Sequence, residues 1–236
     1  MVDLRYAGSE LDLFSEAKRW KAYWASVLDP YVGTRVLDVG AGIGATALNL
    51  QRATYERWLE LEPDPSLANR IRESVVRNEL PSYIETRAGT SASLETGERF
   101  DTILYIDVLE HIENDRVELA NVARHLAPTG RIIVLSPAHQ GLYSPFDRQI
   151  GHYRRYDRKT LIGLRPEGTS VVMSRYLDSV GMFASLANKM LLRSSMPTRA
   201  QISVWDNFMV PASRVVDRLL AGMVGKTIVC VYERQV

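Results

Sequence analysis

Three glycines, Gly40, Gly42 and Gly44, stand at alternate positions directly after the apolar run Val36 to Val39. Glycine lets a backbone turn tightly and approach a ligand without the clash of a Cβ atom. The next segment, Ala45 to Leu50, is typical of the start of a helix. A strand, a glycine turn and a helix at this spacing predict a nucleotide-binding unit, although glycine spacing alone also fits a dinucleotide site.

Two acidic residues favour one nucleotide over the other. Asp38 stands just ahead of the turn, and Glu62 ends a second strand-like segment 22 residues after Gly40. The carboxylate of Asp38 would oppose the pyrophosphate that a dinucleotide places near a helix N-terminus. S-adenosylmethionine has no phosphate and carries a cationic sulfonium and a cationic ammonium, which a carboxylate favours. Glu62 stands at the distance expected of an acid that accepts hydrogen bonds from ribose hydroxyls.

The chain has four histidines, and three of them follow predicted strands. His111 comes shortly after the fourth strand, and His139 and His152 lie in the loop after the fifth. Histidine titrates near neutral pH, so each could position an acceptor hydroxyl or remove its proton, or each could be a hydrogen-bonded structural residue. His139 and His152 are the preferred candidates for this role, because their loop should face the substrate. His125 stands late on a helix, where it is expected to be a solvated or helix-terminal residue.

The run from Arg148 to Lys159 is basic and contains two tyrosines. Nucleic-acid binding is disfavoured, because the patch is short and the rest of the chain is balanced in charge. Arg154 or Arg155 could hold a carboxylate or phosphate of a small substrate, or could tie the loop to acids such as Asp147. The candidate substrate contacts are Tyr23, Tyr143, Asp147, Arg154, Arg155 and Tyr156.

A metal site is the competing hypothesis for part of this loop. His139, Asp147 and His152 could supply nitrogen and oxygen ligands. Their spacing matches no recognised metal motif. We therefore expect no metal.

Seven apolar or alternating segments are typical of strands, and helical patterns separate most of them. Strands that alternate with helices predict an α/β, Rossmann-like fold, with a mostly parallel sheet and helices on both faces. Asp38, Glu62, Asp107 and the segment 136–139 should then converge at the carboxyl ends of the strands. The predicted strands are 36–39, 55–61, 83–87, 100–106, 131–135, 169–175 and 227–233, and the helices between them are 45–50, 65–78, 113–126 and 158–164.

Two more helical regions lie outside this alternation. Residues 9–28 predict an amphipathic helix that either packs on the sheet or closes over the cofactor through Trp20 and Tyr23. Before the last strand, about fifty residues (177–225) stand where a short connection would suffice, and a long insertion is usually functional. Its predicted helices, 181–192 and 207–221, could form a lid, a dimer surface or a surface for an apolar substrate. We expect one domain over 1–236, with 1–30 as its N-terminal helix.

Composition excludes several classes of protein. The formal net charge of +1 provides no global field for nucleic acid or an anionic membrane. A single cysteine, Cys230, excludes a disulfide framework and a cysteine-ligated metal site within one chain. The sequence shows no signal-peptide pattern and no apolar stretch of 18 residues. These features predict a soluble, cytoplasmic protein without a transmembrane segment.

Four motifs, in the expected order, resemble those of class I S-adenosylmethionine-dependent methyltransferases. Asp38-x-Gly40-x-Gly42-x-Gly44 followed by Glu62 resembles the first two, and the segments 100–112 and 126–136 resemble the fourth-strand and fifth-strand motifs. The resemblance covers residues 35–176 and implies S-adenosylmethionine as the cofactor. The cofactor contacts that it implies are Asp38, Gly40, Ala41, Gly42, Gly44, Glu62, Pro63, Thr90, Ser91, Asp107 and Val108.

The loop from Ser144 to Tyr156 resembles a bacterial subgroup associated with glycan, lipid-linked or secondary-metabolite modification. The segment 106–109 also replaces the Asn-Pro-Pro-Tyr type of signature expected of nucleic-acid and protein amino methyltransferases. These features favour a small acceptor, and we predict O-methylation of its hydroxyl or carboxyl group. The alternatives are N- or C-methylation, methylation of RNA or protein, a non-enzymatic cofactor-binding partner, and an oxidoreductase. A homodimer through the insertion is a further expectation.

Overall fold

A computed structural model describes residues 14–52, 54–191 and 198–235, with only the backbone for 187–191. The start of the predicted N-terminal helix, at residues 9–13, lies outside the described residues. Seven strands form one sheet in the order β3-β2-β1-β4-β5-β7-β6. The strands are β1 Arg35–Val39, β2 Arg57–Glu62, β3 Ile84–Ala88, β4 Phe100–Ile106, β5 Leu126–Pro137, β6 Thr169–Leu177 and β7 Thr227–Arg234.

The sheet is mostly parallel, and β7 runs antiparallel to both of its neighbours. The predicted Rossmann-like α/β fold is therefore confirmed. The order of the strands reverses beside β1, because β2 lies on one side of it and β4 on the other. Such a switch point opens a crevice at the carboxyl ends of the strands, where ligands bind in α/β sheets.

Helices cover both faces of the sheet. The helices are α1 Lys18–Leu28, α2 Ala45–Asn49, α3 Pro65–Val76, α4 Asp115–Val122, α5 Pro145–Gln149, α6 Arg158–Gly163, α7 Ser179–Leu191, α8 Arg199–Val204 and α9 Val210–Leu219. Residues of α1, α3, α8 and α9 join one apolar cluster, and residues of α4 and α6 join the other. A turn of π-helix, Trp205–Met209, connects α8 to α9.

The insertion before β7 packs on the N-terminal helix. The carboxylate of Asp206 accepts hydrogen bonds from the backbone nitrogens of Arg19 at 3.1 Å and Trp20 at 2.8 Å. The Tyr23 hydroxyl donates to Asp217 at 2.8 Å. No helix in the described part of the chain is both long and apolar enough to cross a bilayer.

The sequence predicts one helix of the insertion but misses the helical turns that precede it. A helix over 207–221 is predicted, whereas the structure begins helical turns at Arg199 and continues them through the π turn into α9. Pro211 lacks a backbone N–H and ordinarily marks a helix start, so the preceding turns are hard to recognise.

Candidate active site

The glycine turn adopts a conformation that side chains disfavour. Gly40, Gly42 and Gly44 have φ values of 68°, 60° and 76°, in the left-handed region. A Cβ atom on Gly40 would lie 2.8 Å from both Cγ atoms of Val108. The backbone nitrogen of Gly40 donates to the carbonyl of Leu61 at 2.7 Å, which fixes the turn against β2. The turn therefore fits a ligand that must approach the backbone closely.

Replacing Gly40 with alanine should weaken cofactor binding at least about tenfold, because the new Cβ atom needs the space of Val108 and the turn must shift. Calorimetric titration with S-adenosylmethionine measures the loss. Gly168→Ala is the matched control, since Gly168 has a φ of 72° but a Cβ atom placed there would have no neighbouring atom within 4 Å. Both variants should lose about 1 kcal/mol of stability from the positive φ. Unchanged affinity in Gly40→Ala would contradict the assigned role of the turn.

Glu62 is fixed beside the turn by two backbone groups. Its Oε2 accepts from the backbone nitrogen of Gly42 at 2.7 Å, and its Oε1 accepts from that of Asp64 at 2.9 Å. Burial raises the pKa of Glu62, and these two hydrogen bonds oppose the rise. Each carboxylate oxygen has a second lone pair. The side chain can thus accept further hydrogen bonds from the hydroxyls of a ribose.

Asp38 forms a buried acidic pair that sequence reasoning missed. It lies directly across from Glu60 on β2, and the two residues are 1% and 0% exposed. Burial raises the pKa of Asp38 to about 7, and burial together with the charge of Asp38 raises the pKa of Glu60 well above its usual value. Asp38 Oδ2 has no hydrogen-bond partner among the described residues. An ionised Asp38 would therefore be stabilised by a nearby cation, such as the methionine end of S-adenosylmethionine.

Cofactor affinity should consequently depend on pH. Below a pKa of about 7, Asp38 becomes protonated and no longer attracts a cation, whereas the pKa of Glu60 is raised well above its usual value and the hydrogen-bonded Glu62 lies beyond the turn. Affinity for S-adenosylmethionine should fall by up to about tenfold between pH 8 and pH 6. Calorimetry at several pH values measures this slope, and Asp38→Asn should flatten it. An equally steep slope in Asp38→Asn would assign the titration to another group.

A second group of polar side chains lies where β4 and β5 end. We call Glu110, His111 and His152 the histidine–carboxylate cluster. The His111 and His152 rings meet edge to face with centroids 4.5 Å apart, and His152 Nε2 lies 3.9 Å from Glu110 Oε1. The Ser136 hydroxyl donates to Glu110 Oε2 at 2.9 Å. The cluster thus places two imidazoles and one carboxyl group together.

Asp147 orients His152. Its Oδ1 lies 3.0 Å from His152 Nδ1, and Arg155 donates to both of its oxygens at 2.9 and 3.0 Å. Burial opposes ionisation, but the hydrogen bonds from His152 and Arg155 outweigh it and hold the pKa of Asp147 well below its usual value. A permanently charged Asp147 favours the tautomer with the proton on Nδ1. The lone pair of Nε2 then faces Glu110.

Burial shifts the pKa values of the other two members of the cluster toward their uncharged forms. Burial lowers the pKa of His111 to about 4, so its imidazole is neutral. Burial, reinforced by the charge of Asp107, raises the pKa of Glu110 well above its usual value. Glu110 Oε1 has no hydrogen-bond partner within the described residues. The cluster therefore has an unused proton-accepting or ligand-binding capacity.

The end of β4 connects the glycine turn to this cluster. Val108 packs on Gly40, and Glu110 follows two residues later. Asp107 has a φ of 55°, which is strained for a residue other than glycine, and its backbone nitrogen donates to Leu135 at 2.8 Å. The glycine turn and the histidine–carboxylate cluster, the two halves of the candidate site, are therefore linked by one short segment. That segment also carries the exposed Asp107.

His139 is placed differently from the sequence prediction. Its Nε2 lies 3.0 Å from the carbonyl oxygen of Gly225, and its ring stacks on Tyr176 at 4.8 Å. The residue also has a φ of 63°. Its imidazole holds the loop against the segment before β7, outside the histidine–carboxylate cluster, so the predicted role of His139 as an acceptor base stays a prediction and His152 is favoured.

Three predicted substrate contacts are engaged in packing. The buried Tyr23 donates to Asp217, away from the cluster. Arg154 Nη1 lies 2.6 Å from Asp115, and the Tyr156 hydroxyl donates to the same carboxylate at 2.8 Å. Each polar group therefore already has a protein partner, which favours a structural role over the predicted substrate contact.

Of the other residues predicted from the sequence, some position His152 and some lie near the glycine turn or the end of β3. Arg155 and Asp147 hold His152, and half-buried Tyr143 donates to the carbonyl of His152 at 2.7 Å. Ser91 is turned away, since its hydroxyl donates to Glu118 on α4 at 2.7 Å. Thr90 is exposed at the end of β3 and remains a candidate contact. Ala41 and Pro63 lie within or beside the glycine turn.

Two cavities adjoin the N-terminal helix. One, of about 260 Å³, is lined by Ile43 and Ala45 of the glycine turn together with Lys18 and Lys21 of α1. The other, of about 310 Å³, lies between α1, β6 and α9 and is lined by arginines. Only the first contacts the glycine turn, so it is the one that bears on the candidate site.

Comparisons with known proteins define the class. A family described as "Methyltransferase domain" matches residues 9–168, more than half of the chain. The chain therefore belongs to this methyltransferase family, as the motifs predict. S-adenosylmethionine is the cofactor, and the open glycine turn, fixed Glu62 and unpartnered Asp38 oxygen fit it.

Among individual relatives, a ubiquinone biosynthesis O-methyltransferase from Azorhizobium caulinodans is 31% identical over 111 residues, covering 47% of this chain and 43% of that protein. An ajmaline N-methyltransferase from Rauvolfia serpentina is 23% identical over 182 residues, covering 76% of this chain and 57% of that protein. The chain thus spans 43% and 57% of the lengths of these two relatives.

A solved structure with a similar fold is N-methyltransferase NodS from Bradyrhizobium japonicum WM9 in complex with S-adenosyl-L-homocysteine. It superposes with a TM-score of 0.61 at 16% identity and covers 97% of this chain and 94% of that one. At this identity the likeness concerns the fold alone.

Proposed function

We propose that this chain transfers the methyl group of S-adenosylmethionine to an oxygen of a small molecule, with a hydroxyl group as the preferred acceptor and a carboxyl group as the alternative. The proposal rests on the placement of His152. Asp147 fixes the ring of this residue, and its Nε2 faces the buried Glu110. This cluster follows Val108, which packs on the glycine turn. The acceptor would bind between the turn and the cluster.

The bound cofactor supplies a methyl group made electrophilic by its sulfonium. The acceptor oxygen forms a bond to the methyl carbon while the carbon–sulfur bond breaks and its electron pair stays on sulfur. His152 accepts the hydroxyl proton at Nε2, and ionised Asp147 stabilises the resulting imidazolium. Neutral His111 and the buried Glu110 exclude water and orient the acceptor.

The need for a proton acceptor favours oxygen over nitrogen. A hydroxyl group must lose its proton, whereas a neutral amine needs only exclusion of water and an oxygen that orients it. N-methylation is the second candidate, and the exposed carboxylate of Asp107 near the cluster supports it. The named relatives include enzymes of both kinds. A small acceptor is favoured over nucleic acid because the net charge is +1.

Paired acceptors test the proposal. The purified chain is incubated with methyl-labelled S-adenosylmethionine and with phenol, catechol, hydroxy-acid and amine compounds of matched carbon skeleton. Mass spectrometry should find the label on oxygen. Exclusive transfer to the amine of each pair would overturn O-methylation and favour the second candidate. Transfer to RNA or protein alone would overturn the small-molecule assignment.

The homodimer through the insertion remains a prediction. Several apolar side chains of the insertion are exposed, including Phe183 at 59% and Phe208 at 73%. Analytical ultracentrifugation of the purified chain would determine its oligomeric state.

A further inference from the structure

The histidine–carboxylate cluster also has the donor set of a metal site. Glu110, His111 and His152 each offer one ligand atom, and these atoms lie within 4.8 Å of one another. We propose that the cluster binds a divalent transition-metal cation that also holds the acceptor oxygen. This inference rests on the proposed function, because it places the cation where the acceptor is proposed to bind.

An unpartnered buried atom points to a ligand at this position. Glu110 is 0% exposed, and its Oε1 has no hydrogen-bond partner among the residues described. That oxygen lies 3.9 Å from His152 Nε2, so the two atoms face each other without a direct hydrogen bond. Buried carboxylate oxygens are costly unless something pairs with them. A cation between the three side chains would supply the missing partner, and the ligand atoms, which lie up to 4.8 Å apart, would draw together to roughly 3.4 Å around a tetrahedral ion.

The contacts around the cluster match those that orient metal ligands. Metal-binding histidines usually donate their second nitrogen to a carboxylate or a backbone carbonyl. His152 Nδ1 lies 3.0 Å from Asp147, and His111 has a hydrogen bond with the backbone of Gly151. The Ser136 hydroxyl donates to the other oxygen of Glu110. In each of the three side chains, one polar atom therefore makes a hydrogen bond within the protein, and the other is left for a ligand.

The donor types select the cation and the acceptor. Two imidazoles and one carboxylate suit zinc, manganese, iron or cobalt better than magnesium or calcium, which prefer oxygen ligands. Three protein ligands leave positions open for oxygens of a substrate. The substrate class is therefore an acceptor with two adjacent oxygens, such as a vicinal diol, a catechol or a hydroxy acid.

A bound cation changes the role of His152. Its lone pair then serves as a ligand, and the cation lowers the pKa of the acceptor hydroxyl so that the proton leaves to water. The methyl carbon still forms its bond to that oxygen, and the electron pair of the broken bond still stays on sulfur. His152 thus holds the cation in this state and does not carry the proton.

Cobalt(II) tests binding without any enzymatic assay. The untagged full chain, first treated with a chelator and dialysed, is titrated with cobalt(II) while its visible absorption and binding heat are followed. One equivalent should bind, and Glu110→Gln, His111→Ala and His152→Ala should each weaken binding at least tenfold. Asp147→Asn should weaken it by about 10- to 100-fold, because the orientation of His152 is lost. His125→Ala is the control and should bind like the wild type, since that histidine lies outside the cluster.

Circular dichroism and melting temperature without metal check that each variant folds, and a variant that fails is replaced by Glu110→Ala or His111→Gln. Absence of stoichiometric binding to the folded wild type, or full binding by all cluster variants, would overturn the proposal. Measurements of O-methylation distinguish a failure of the cation proposal from a failure of the proposed function. Full O-methylation after chelation, with a slow His152→Ala, would overturn the cation and leave the proton-accepting role. Cobalt binding without any O-methylation would support the site and overturn the proposed function.

Discussion

Replacing His152 with alanine should lower kcat by about 10²- to 10⁴-fold, the range expected when a positioned proton-transfer group is lost. The Kd of S-adenosylmethionine should change by less than about twofold, because the residue lies beyond the glycine turn and contacts Asp147 and Glu110. Steady-state kinetics with an accepted substrate and calorimetry with the cofactor measure the two quantities. The expected loss holds whether His152 accepts the proton or binds a cation, since both need its Nε2.

His125→Ala provides the control, because His125 approaches the backbone carbonyl of Glu98 at 3.1 Å and lies outside the cluster. It should leave kcat and cofactor affinity unchanged. A His152→Ala variant that loses both quantities in parallel would show that the residue maintains the fold of the site. A variant with normal kcat would remove His152 from the reaction altogether.

Glu62→Ala should weaken S-adenosylmethionine binding by about 10- to 100-fold. The substitution removes the acceptor for two backbone N–H groups, those of Gly42 and Asp64, and the proposed acceptor for the ribose hydroxyls. Hydrogen bonds to a charged group contribute about 1.5–3 kcal/mol, which sets this range. Calorimetric titration with the cofactor gives the affinity directly.

Glu62→Gln should lie between the wild type and Glu62→Ala, because the amide keeps one acceptor oxygen of similar reach. Glu85→Gln on the neighbouring strand serves as a surface control, since its carboxylate is 54% exposed and pairs with Arg57. Cofactor affinity that survives in Glu62→Ala while kcat falls would contradict the ribose assignment and place Glu62 in the chemistry of transfer.

The cofactor half of the candidate site could be predicted because its signals are local in the sequence. Gly40, Gly42 and Gly44 need left-handed φ values wherever the chain folds, and Asp38 precedes them directly. The alternation of strands and helices then places Glu62 at the same edge of the sheet. Glu60 was missed, although its two-residue spacing from Glu62 puts both on one face of β2.

The acceptor half depends on contacts between distant parts of the chain. His139 and His152 share one loop, and the sequence does not distinguish them. The partner of His139 is Gly225, in a segment that the chain reaches 86 residues later. The partner of His152 is Asp147, which Arg155 fixes in place. Only the folded loop shows which imidazole is used for packing.

The role of Glu110 also depends on contacts between distant parts of the chain. Its sequence position shortly after β4 indicates a site at the strand ends, but its burial and its unpartnered oxygen depend on Ser136 and His152. The metal ligands considered from the sequence were His139, Asp147 and His152. The structure instead gathers Glu110, His111 and His152, because Asp147 lies behind the histidine that it orients.

We expect one crevice to join the cofactor at the glycine turn to an acceptor at the histidine–carboxylate cluster. A crystal structure of the complex with S-adenosylhomocysteine tests it most directly. We expect the ribose on Glu62 and the sulfur directed past Asp107 toward Glu110 and His152. A sulfur directed toward the arginine-lined cavity between α1, β6 and α9, with the cluster closed off from it, would contradict this claim.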